Sequence, residues 1–319
     1  MRTALVLRAL GLGDFLTGLP ALHALADALP DHRRLLAMPA VLAPLARVAR
    51  VADEVLDVRG LAPLPRLAGP PDVAVNLHGR GPESHAVLLA ARPRRLVAFR
   101  HADVPESAWA PRWREDEHAA RRWCRLLEAH GIACDPTRLD LLADGERLPV
   151  AAPPAAHGAT LLHPGAASGA RRWPAERFAA VARAERRRGR RVIVTGSAEE
   201  AALAHSIARV AGLEADAVYA GRTSLVERAA LVGAAGRVVC GDTGVAHLAT
   251  ALRTPSVVLF GPTAPAVWGP PPERARHRVL WAGHAGDPHA DTLDPGLALI
   301  GVDDVVRALD AIATETSAA

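Results

Sequence analysis

The chain has 319 residues, of which 50% are hydrophobic, 23% charged and only 3% aromatic, and its formal net charge is +4. That length favours two domains over one, and the hydrophobic share excludes a disordered chain. Every one of the 38 basic residues is arginine, a mark of coding bias, and their small excess over 34 acids does not make nucleic acid the expected partner.

In chain order, an apolar run over 3–7 predicts a first strand, followed by Arg8 and a Gly11-Leu-Gly13-Asp14 turn. Leu16, Leu19, Leu22, Ala26 and Leu29 then recur at helical spacing as far as Pro30. Further strands are predicted over 34–38, 54–58, 73–77 and 96–99, and helices over 88–91 and 119–130. A Pro/Ala-rich stretch at 148–158, with three prolines in eleven residues, is the linker candidate. It divides an N-terminal domain, 1–150, from a C-terminal domain, 151–319, whose last helix is available to pack back on the first. Beyond it, strands at 159–163, 191–195, 217–219, 238–240 and 256–260 alternate with helices at 174–188, 199–210, 225–233 and 244–252, and a helix over 302–313 closes the chain. Such alternation predicts α/β domains with parallel sheets. A nucleotide-type ligand would then sit at the carboxyl ends of the strands, in a cleft between the two sheets.

Arg8 and Asp14 interrupt what would be the apolar region of a signal peptide, and six prolines break the longest uncharged stretch, 254–272. Cys124, Cys134 and Cys240 form no CxxC pair and leave one thiol over, which fits a reducing compartment. A soluble, cytoplasmic protein is expected.

Four stretches carry chemistry. Gly11-Leu-Gly13 follows a strand, but position 16 is leucine, so the dinucleotide fingerprint is broken. Asp14 then suits either a helix N-cap or a catalytic carboxylate. Residues 163–174 (HPGAASGARRWP) combine small residues with Arg171 and Arg172 ahead of a helix, a composition that suits a phosphate cradle or an ordinary solvated loop. Residues 192–200 end in Gly196-Ser-Ala-Glu199-Glu200, whose acids fit ribose hydroxyls or the helix dipole. The strongest is Cys240-Gly-Asp242-Thr243-Gly244-Val-Ala-His247, between a strand and a helix, with N–H groups available to a pyrophosphate. His247, on the next turn, suits packing as well as ligand contact. Gly261-Pro-Thr263 forms a second strand-end loop.

His284, Asp287, His289 and Asp291 resemble metal ligands, but their spacing matches no defined site. Arginines 183, 186, 187, 188, 190 and 191 cluster at a helix C-terminus, where the dipole favours cations, so they read as a solvated face. Neither GxSxG nor HExxH is present.

Taken together, LRALGLGDFLTGLPALHAL, HPGAASGARRWPAERFAAVA, VIVTGSAEEAALA and GRTSLVERAALVGAAGRVVCGDTGVAHLATALRTPSVVLFGPTAP resemble, in that order, glycosyltransferase family 9, known for the ADP-heptose:lipopolysaccharide heptosyltransferases. The resemblance covers most of the chain from Leu5 to Pro265. It implies an α/β GT-B fold of two Rossmann-like domains with parallel sheets facing a central cleft, the acceptor on the first and the nucleotide sugar on the second. It implies that Asp14 is the general base, with Gly11 and Gly13 on the acceptor side. Arg171 takes the place of a phosphate-binding lysine, with a different fork geometry. Asp242, Thr243, Gly244 and His247 match the donor motif, and Thr223 in Gly-Arg-Thr-Ser-Leu also matches. Gly196 belongs with the ribose-side glutamate, which is Glu199 or Glu200. The family's hydroxyl after the Pro-Gly turn is replaced by Ala166 or Ala167, leaving Ser168 as the nearby candidate. The C-terminal GDPHADTLDP departs from the better-known members.

The implied reaction moves a sugar, a heptose in the family's default case, from ADP to an acceptor hydroxyl with inversion. Asp14 would take the proton, while Arg171 and the helix start at Thr243 and Gly244 would stabilise the leaving diphosphate. The family requires no metal, so no separate cofactor is implied, the donor being itself a nucleotide sugar. Closure of the two domains would exclude water. The implied partners are the nucleotide sugar and a lipopolysaccharide core, glycan or glycoside acceptor, with contact to a membrane surface and no nucleic acid. The alternative is a nucleotide-sugar-binding protein of the same fold without transferase activity. A nicotinamide oxidoreductase is the more distant rival.

Overall fold

The computed structural model describes residues 2–318. The chain divides into two compact units, Met1–Gly145 and Glu146–Ala319. In the first, β1 (Arg2–Leu7), α1 (Leu12–Thr17), α2 (Leu19–Ala28), β2 (His32–Met38), α3 (Ala43–Val48), β3 (Glu54–Asp57), β4 (Val73–Asn76), α4 (Glu83–Leu89), β5 (Arg95–Val97) and α5 (Ala119–Ala129) follow in order. Its five strands are all parallel and lie in the order β3-β2-β1-β4-β5. Covered on both faces, the central strands carry unbroken apolar runs, as Ala4 to Leu7 in β1 do. Leu5, Leu7, Leu35, Ala37, Ala74 and Leu88 form one of its cores.

The second unit contains β6 (Thr160–His163), α6 (Ala175–Arg187), β7 (Val192–Val194), α7 (Ala201–Ala211), α8 (Leu225–Ala234), β8 (Arg237–Gly241), α9 (Gly244–Ala251), β9 (Ser256–Phe260), α10 (Pro265–Trp268), β10 (His277–Trp281), α11 (Pro295–Leu299) and α12 (Val302–Ala318). Its strands are again all parallel, in the order β10-β9-β8-β6-β7. Phe178, Val181, Val239, Val257, Leu259 and Leu309 belong to its core. The last helix packs within its own unit, against α6, β9 and β10.

Several elements differ from the sequence expectation. The single helix expected up to Pro30 is two, because Pro20, which has no N–H, sits in the first turn of α2. The strand expected over 217–219 is a single bridge between Val194 and Val218. The preceding backbone is spent on a tight turn, with Ala217 and Val218 N–H donating to Glu214 and Ala215. The edge strand β10 was missed, since His277 and Arg278 break its apolar pattern. The Pro-rich stretch at 148–158 is tied to the second unit over its later half. Gly158 N–H donates to Ala234, and the Arg191 guanidinium donates to the Pro154 and His157 carbonyls.

Cys124 and Cys134 are joined in a disulfide, and Cys240 is a buried free thiol. No helix among the described residues is long and apolar enough to cross a membrane.

Candidate functional site

In an open parallel sheet, ligands gather at the carboxyl ends of the strands where the strand order reverses direction. In the first unit that point lies between β1 and β4, and in the second between β6 and β8. Of the sequence candidates, Gly11, Gly13 and Asp14 follow β1, Ser168 and Arg171 follow β6, and Asp242 to His247 follow β8, whereas Gly196, Glu199 and Glu200 follow β7 and Thr223 precedes α8.

In the first unit, Arg8 is buried at the end of β1. Its Nε donates to the Asp14 carbonyl, its Nη1 to the Leu77 carbonyl just past β4, and its Nη2 to the Thr17 hydroxyl at 3.1 Å. Burial lowers its pKa to about 10, with the Asp14 carboxylate opposing the shift. Gly11 caps α1 with no side-chain hydrogen bond, and Asp14 lies in the first turn. The capping reading of Asp14 therefore fails, because the cap falls at Gly11. The carboxylate lies next to Gly11, and Gly13 lies within α1 itself.

Past β4, the buried Asn76 side chain accepts from the His78 N–H at 2.9 Å and donates to Ser84 at 2.8 Å. Burial and the Arg8 charge lower the His78 pKa, against the pull of Asp14. Its Nδ1 is buried without a hydrogen-bond partner. Asn76 and His78 escaped the sequence reading. Their signal was a strand ending in a polar residue and glycine (Asn76-Leu-His78-Gly79), but only the strand order brings it beside Arg8 and Asp14.

The second unit gathers more of the candidates. After β6, the loop reaches Arg171 through a short 3-10 turn, Gly169–Arg171. Arg171 Nη1 donates to the Asp242 carbonyl and its Nε to the Ser168 hydroxyl, both at 3.3 Å. Arg171 and the β8 end are thus joined by a direct contact across the reversal point. The Asp242 side chain is 3% exposed, and its Oδ1 has no hydrogen-bond partner. Burial pushes its pKa up to about 6, while the Arg171 charge and the Thr263 hydroxyl pull it back. Thr243 caps α9, accepting from Val245 N–H at 3.3 Å, and Gly244 opens the helix. The first N–H groups of such a helix lack partners within it and attract anions. His247 is buried one turn on, edge-on to Trp268 at 4.8 Å between ring centroids.

The two glutamates separate. Glu199 is exposed, whereas Glu200 turns back, its carboxylate accepting from Ser197 N–H at 2.7 Å. A Cβ at Gly165 would overlap that carboxylate, so a larger residue there would displace the Glu200 side chain from its bond to Ser197. Gly196 is buried beside Glu200, and its carbonyl accepts from Arg228 at 3.2 Å. His163, at the end of β6, hydrogen-bonds Thr195 at 3.2 Å. It is held down to about 4 by burial, with Arg228 adding and Glu200 opposing. The Thr223 hydroxyl, just before the α8 cap Ser224, is buried without a partner.

The buried Asp242 Oδ1 and Thr223 hydroxyl, in the unit that carries Arg171 and the α9 start, have no hydrogen-bond partner within the protein. His284, Asp287, His289 and Asp291 do not converge. Among the described residues no group of three or more His, Cys, Asp or Glu could hold a metal.

Two α/β units, each built on a five-stranded parallel sheet whose strand order reverses near the middle, define the GT-B fold class. Residues 88–292 match the model of glycosyltransferase family 9 (heptosyltransferase), and the chain belongs to that family. Over 125 residues it is 34% identical to lipopolysaccharide heptosyltransferase 2 of Salmonella typhimurium, covering 38% of this chain and 36% of the relative. The match thus spans about a third of that relative's length. The fold is similar to that of a family 9 glycosyl transferase from Veillonella parvula, with a TM-score of 0.78, 20% identity and 98% coverage of both chains. It is also similar to E. coli heptosyltransferase WaaC with ADP-2-deoxy-2-fluoro heptose, with a TM-score of 0.74, 19% identity, and coverage of 98% of this chain and 99% of that one.

Proposed function

We propose that the chain is an inverting glycosyltransferase that moves a heptose from ADP-heptose to an acceptor hydroxyl on a lipopolysaccharide core or related glycan. Family membership and the activities of the relatives support the reaction class and the donor. The observation that carries the donor assignment is the pairing of Arg171 with the β8 end, beside the start of α9. A nucleoside diphosphate leaves as an anion, and a guanidinium and helix N–H groups stabilise that charge as it develops. The partnerless Asp242 oxygen suits a sugar hydroxyl, which can donate to it, and repels phosphate, which cannot. Glu200 takes the ribose hydroxyls in this reading, and Thr223 and His247 line the same donor site. The Arg171 and helix contacts would stabilise the departing diphosphate with no metal assigned.

Asp14 is the general base of this proposal. Its carboxylate is not spent on a cap, its backbone is fixed by Arg8, and it takes the acceptor proton as the new glycosidic bond forms. Water is the competing nucleophile. The protein would work from the cytoplasm, with contact to a membrane surface that presents the acceptor. The test is incubation with ADP-heptose and a heptose-accepting core oligosaccharide, following ADP release and product mass. Acceptor-dependent ADP release with one heptose added is the expected result. Binding of ADP-heptose with neither transfer nor hydrolysis would instead establish a nucleotide-sugar-binding protein.

A further inference from the structure

The segment 283–294 is conspicuous in sequence for its histidines and aspartates, yet among the described residues those side chains gather no metal-binding group. Its backbone is what engages the site. The Pro288 carbonyl accepts from the Ser168 hydroxyl at 2.6 Å. The Ala290 carbonyl accepts from Ala170 N–H at 2.9 Å, and Asp294 N–H donates to the Ala170 carbonyl at 3.3 Å. Gly286 N–H donates to Pro262 at 3.0 Å, pinning the near end of the segment to the loop after β9. Asp294 anchors the far end by capping α11, accepting from Leu297 N–H at 3.0 Å. The fit is close enough that a Cβ on Gly169 would overlap the Asp291 carbonyl. The segment is therefore a strap across the loop that delivers Arg171.

Ser168 stands between the strap and Arg171. A carbonyl has no proton to give, so in the Ser168–Pro288 bond the hydroxyl must be the donor. The same oxygen accepts from Arg171 Nε at 3.3 Å. With its one proton committed, the hydroxyl cannot also donate to a phosphate oxygen, which likewise only accepts. A direct phosphate contact by Ser168 would require it to leave the strap. The Arg171 guanidinium is meanwhile held at Nε by Ser168 and at Nη1 by the Asp242 carbonyl, which leaves its Nη2 edge for a ligand.

We propose that Ser168 is a positioning residue of the donor site, which transmits the strap's Pro288 carbonyl to Nε of Arg171 and thereby aims the guanidinium at a nucleoside diphosphate. This rests on the donor reading given above, and it assigns the strap a role that its own side chains do not reveal. The strap gauges the height of the loop after β6, and Ser168 passes that setting to Arg171, which reaches the β8 end.

Calorimetric titration of the full chain with ADP and with adenosine tests it, using the unsubstituted protein, Ser168→Ala, Ser168→Thr, Arg171→Gln and the double variant Ser168→Ala/Arg171→Gln. Ser168→Ala should weaken ADP about tenfold, the scale of one hydrogen bond to a charged group, and leave adenosine unchanged. Ser168→Thr, which keeps the hydroxyl, should restore ADP affinity. In the Arg171→Gln background, removal of the Ser168 hydroxyl should add nothing, because the two act as one unit. Equal weakening of ADP and adenosine would overturn the proposal, since that is what a merely structural serine does. A full additional loss in the double variant would overturn it as well. Failure of the unsubstituted protein to bind ADP is a separate result, which would overturn the donor reading and this proposal with it.

Discussion

The two units solve the same problem of scaffolding with opposite uses of an arginine. Each is a five-stranded parallel sheet with its strand order reversing near the middle, and each has an arginine in the loop after the first strand of that reversal. In the first unit Arg8 is buried, with three internal partners that lock the β1 and β4 ends together, so its charge serves the geometry around Asp14. In the second, Arg171 hydrogen-bonds two partners among the described residues, the Ser168 hydroxyl and the Asp242 carbonyl, and keeps one edge of its fork unspent beside a helix start. Chemistry on this architecture is therefore decided by what the strand-end loops leave unsatisfied. In the proposed reaction the first unit supplies a carboxylate to move the proton, beside a histidine whose pKa burial lowers. In the same proposal the second supplies cationic and N–H donors to hold the diphosphate.

The largest way to break this division is Asp14→Ala. It should reduce transfer by about 10²–10⁴-fold, the range for loss of a general base, while nucleotide affinity measured by titration stays within twofold. Nucleotide affinity that fell with activity would mean the two units do not divide the work.

Asp242 gives the next largest effect, and its sign depends on pH. Its folded pKa, about 6, lies above the ordinary carboxylate value of 3.8, so keeping it ionised costs stability, and the cost grows as pH rises toward and through 6. Asp242→Asn should therefore be more stable than the parent at pH 8, by up to about 3 kcal/mol, with the gain roughly halved at pH 5. Urea unfolding at the two pH values reads this directly, and a pH-independent difference would contradict it. A smaller loss is expected for Gly169→Ala, which presses a methyl into the Asp291 carbonyl at a cost of about 1–3 kcal/mol. Thermal melting should show it, and an unchanged melting temperature would mean the strap yields freely. The smallest is Ser224→Ala, which removes a capping box at the start of α8 beside Thr223. It should cost about 1 kcal/mol in chemical denaturation.

Much of the second unit was legible from sequence because its elements are nearly as periodic as their strands and helices require. Gly165-Ala-Ala-Ser168 and Asp242-Thr243-Gly244 sit at strand-to-helix junctions whose position follows from the alternation alone. What could not be read was which junctions are neighbours. The contact between Arg171 and the Asp242 carbonyl depends on β6 lying beside β8, and that on Arg8 and Leu77 depends on β1 lying beside β4. Neither adjacency leaves a local signal. The strap was illegible for a different reason, because it acts through backbone carbonyls at Pro288 and Ala290, which any residue could supply. Its histidines and aspartates drew notice for side chains that turn out to gather no site. The single helix expected up to Pro30 misjudged Pro20, which interrupts an apolar pattern that periodicity alone carries through.

The most direct measurement is a thermal-shift panel of the purified chain with ADP, UDP, GDP, CDP and NAD. A nucleoside diphosphate present at 100 times its dissociation constant should stabilise the protein by about 2.7 kcal/mol. The account predicts that ADP gives that response, that the other diphosphates give a smaller one, and that Arg171→Gln reduces it. A response to NAD alone, or an ADP response undiminished in Arg171→Gln, would contradict the central claim that the β6 and β8 strand ends hold a nucleoside diphosphate.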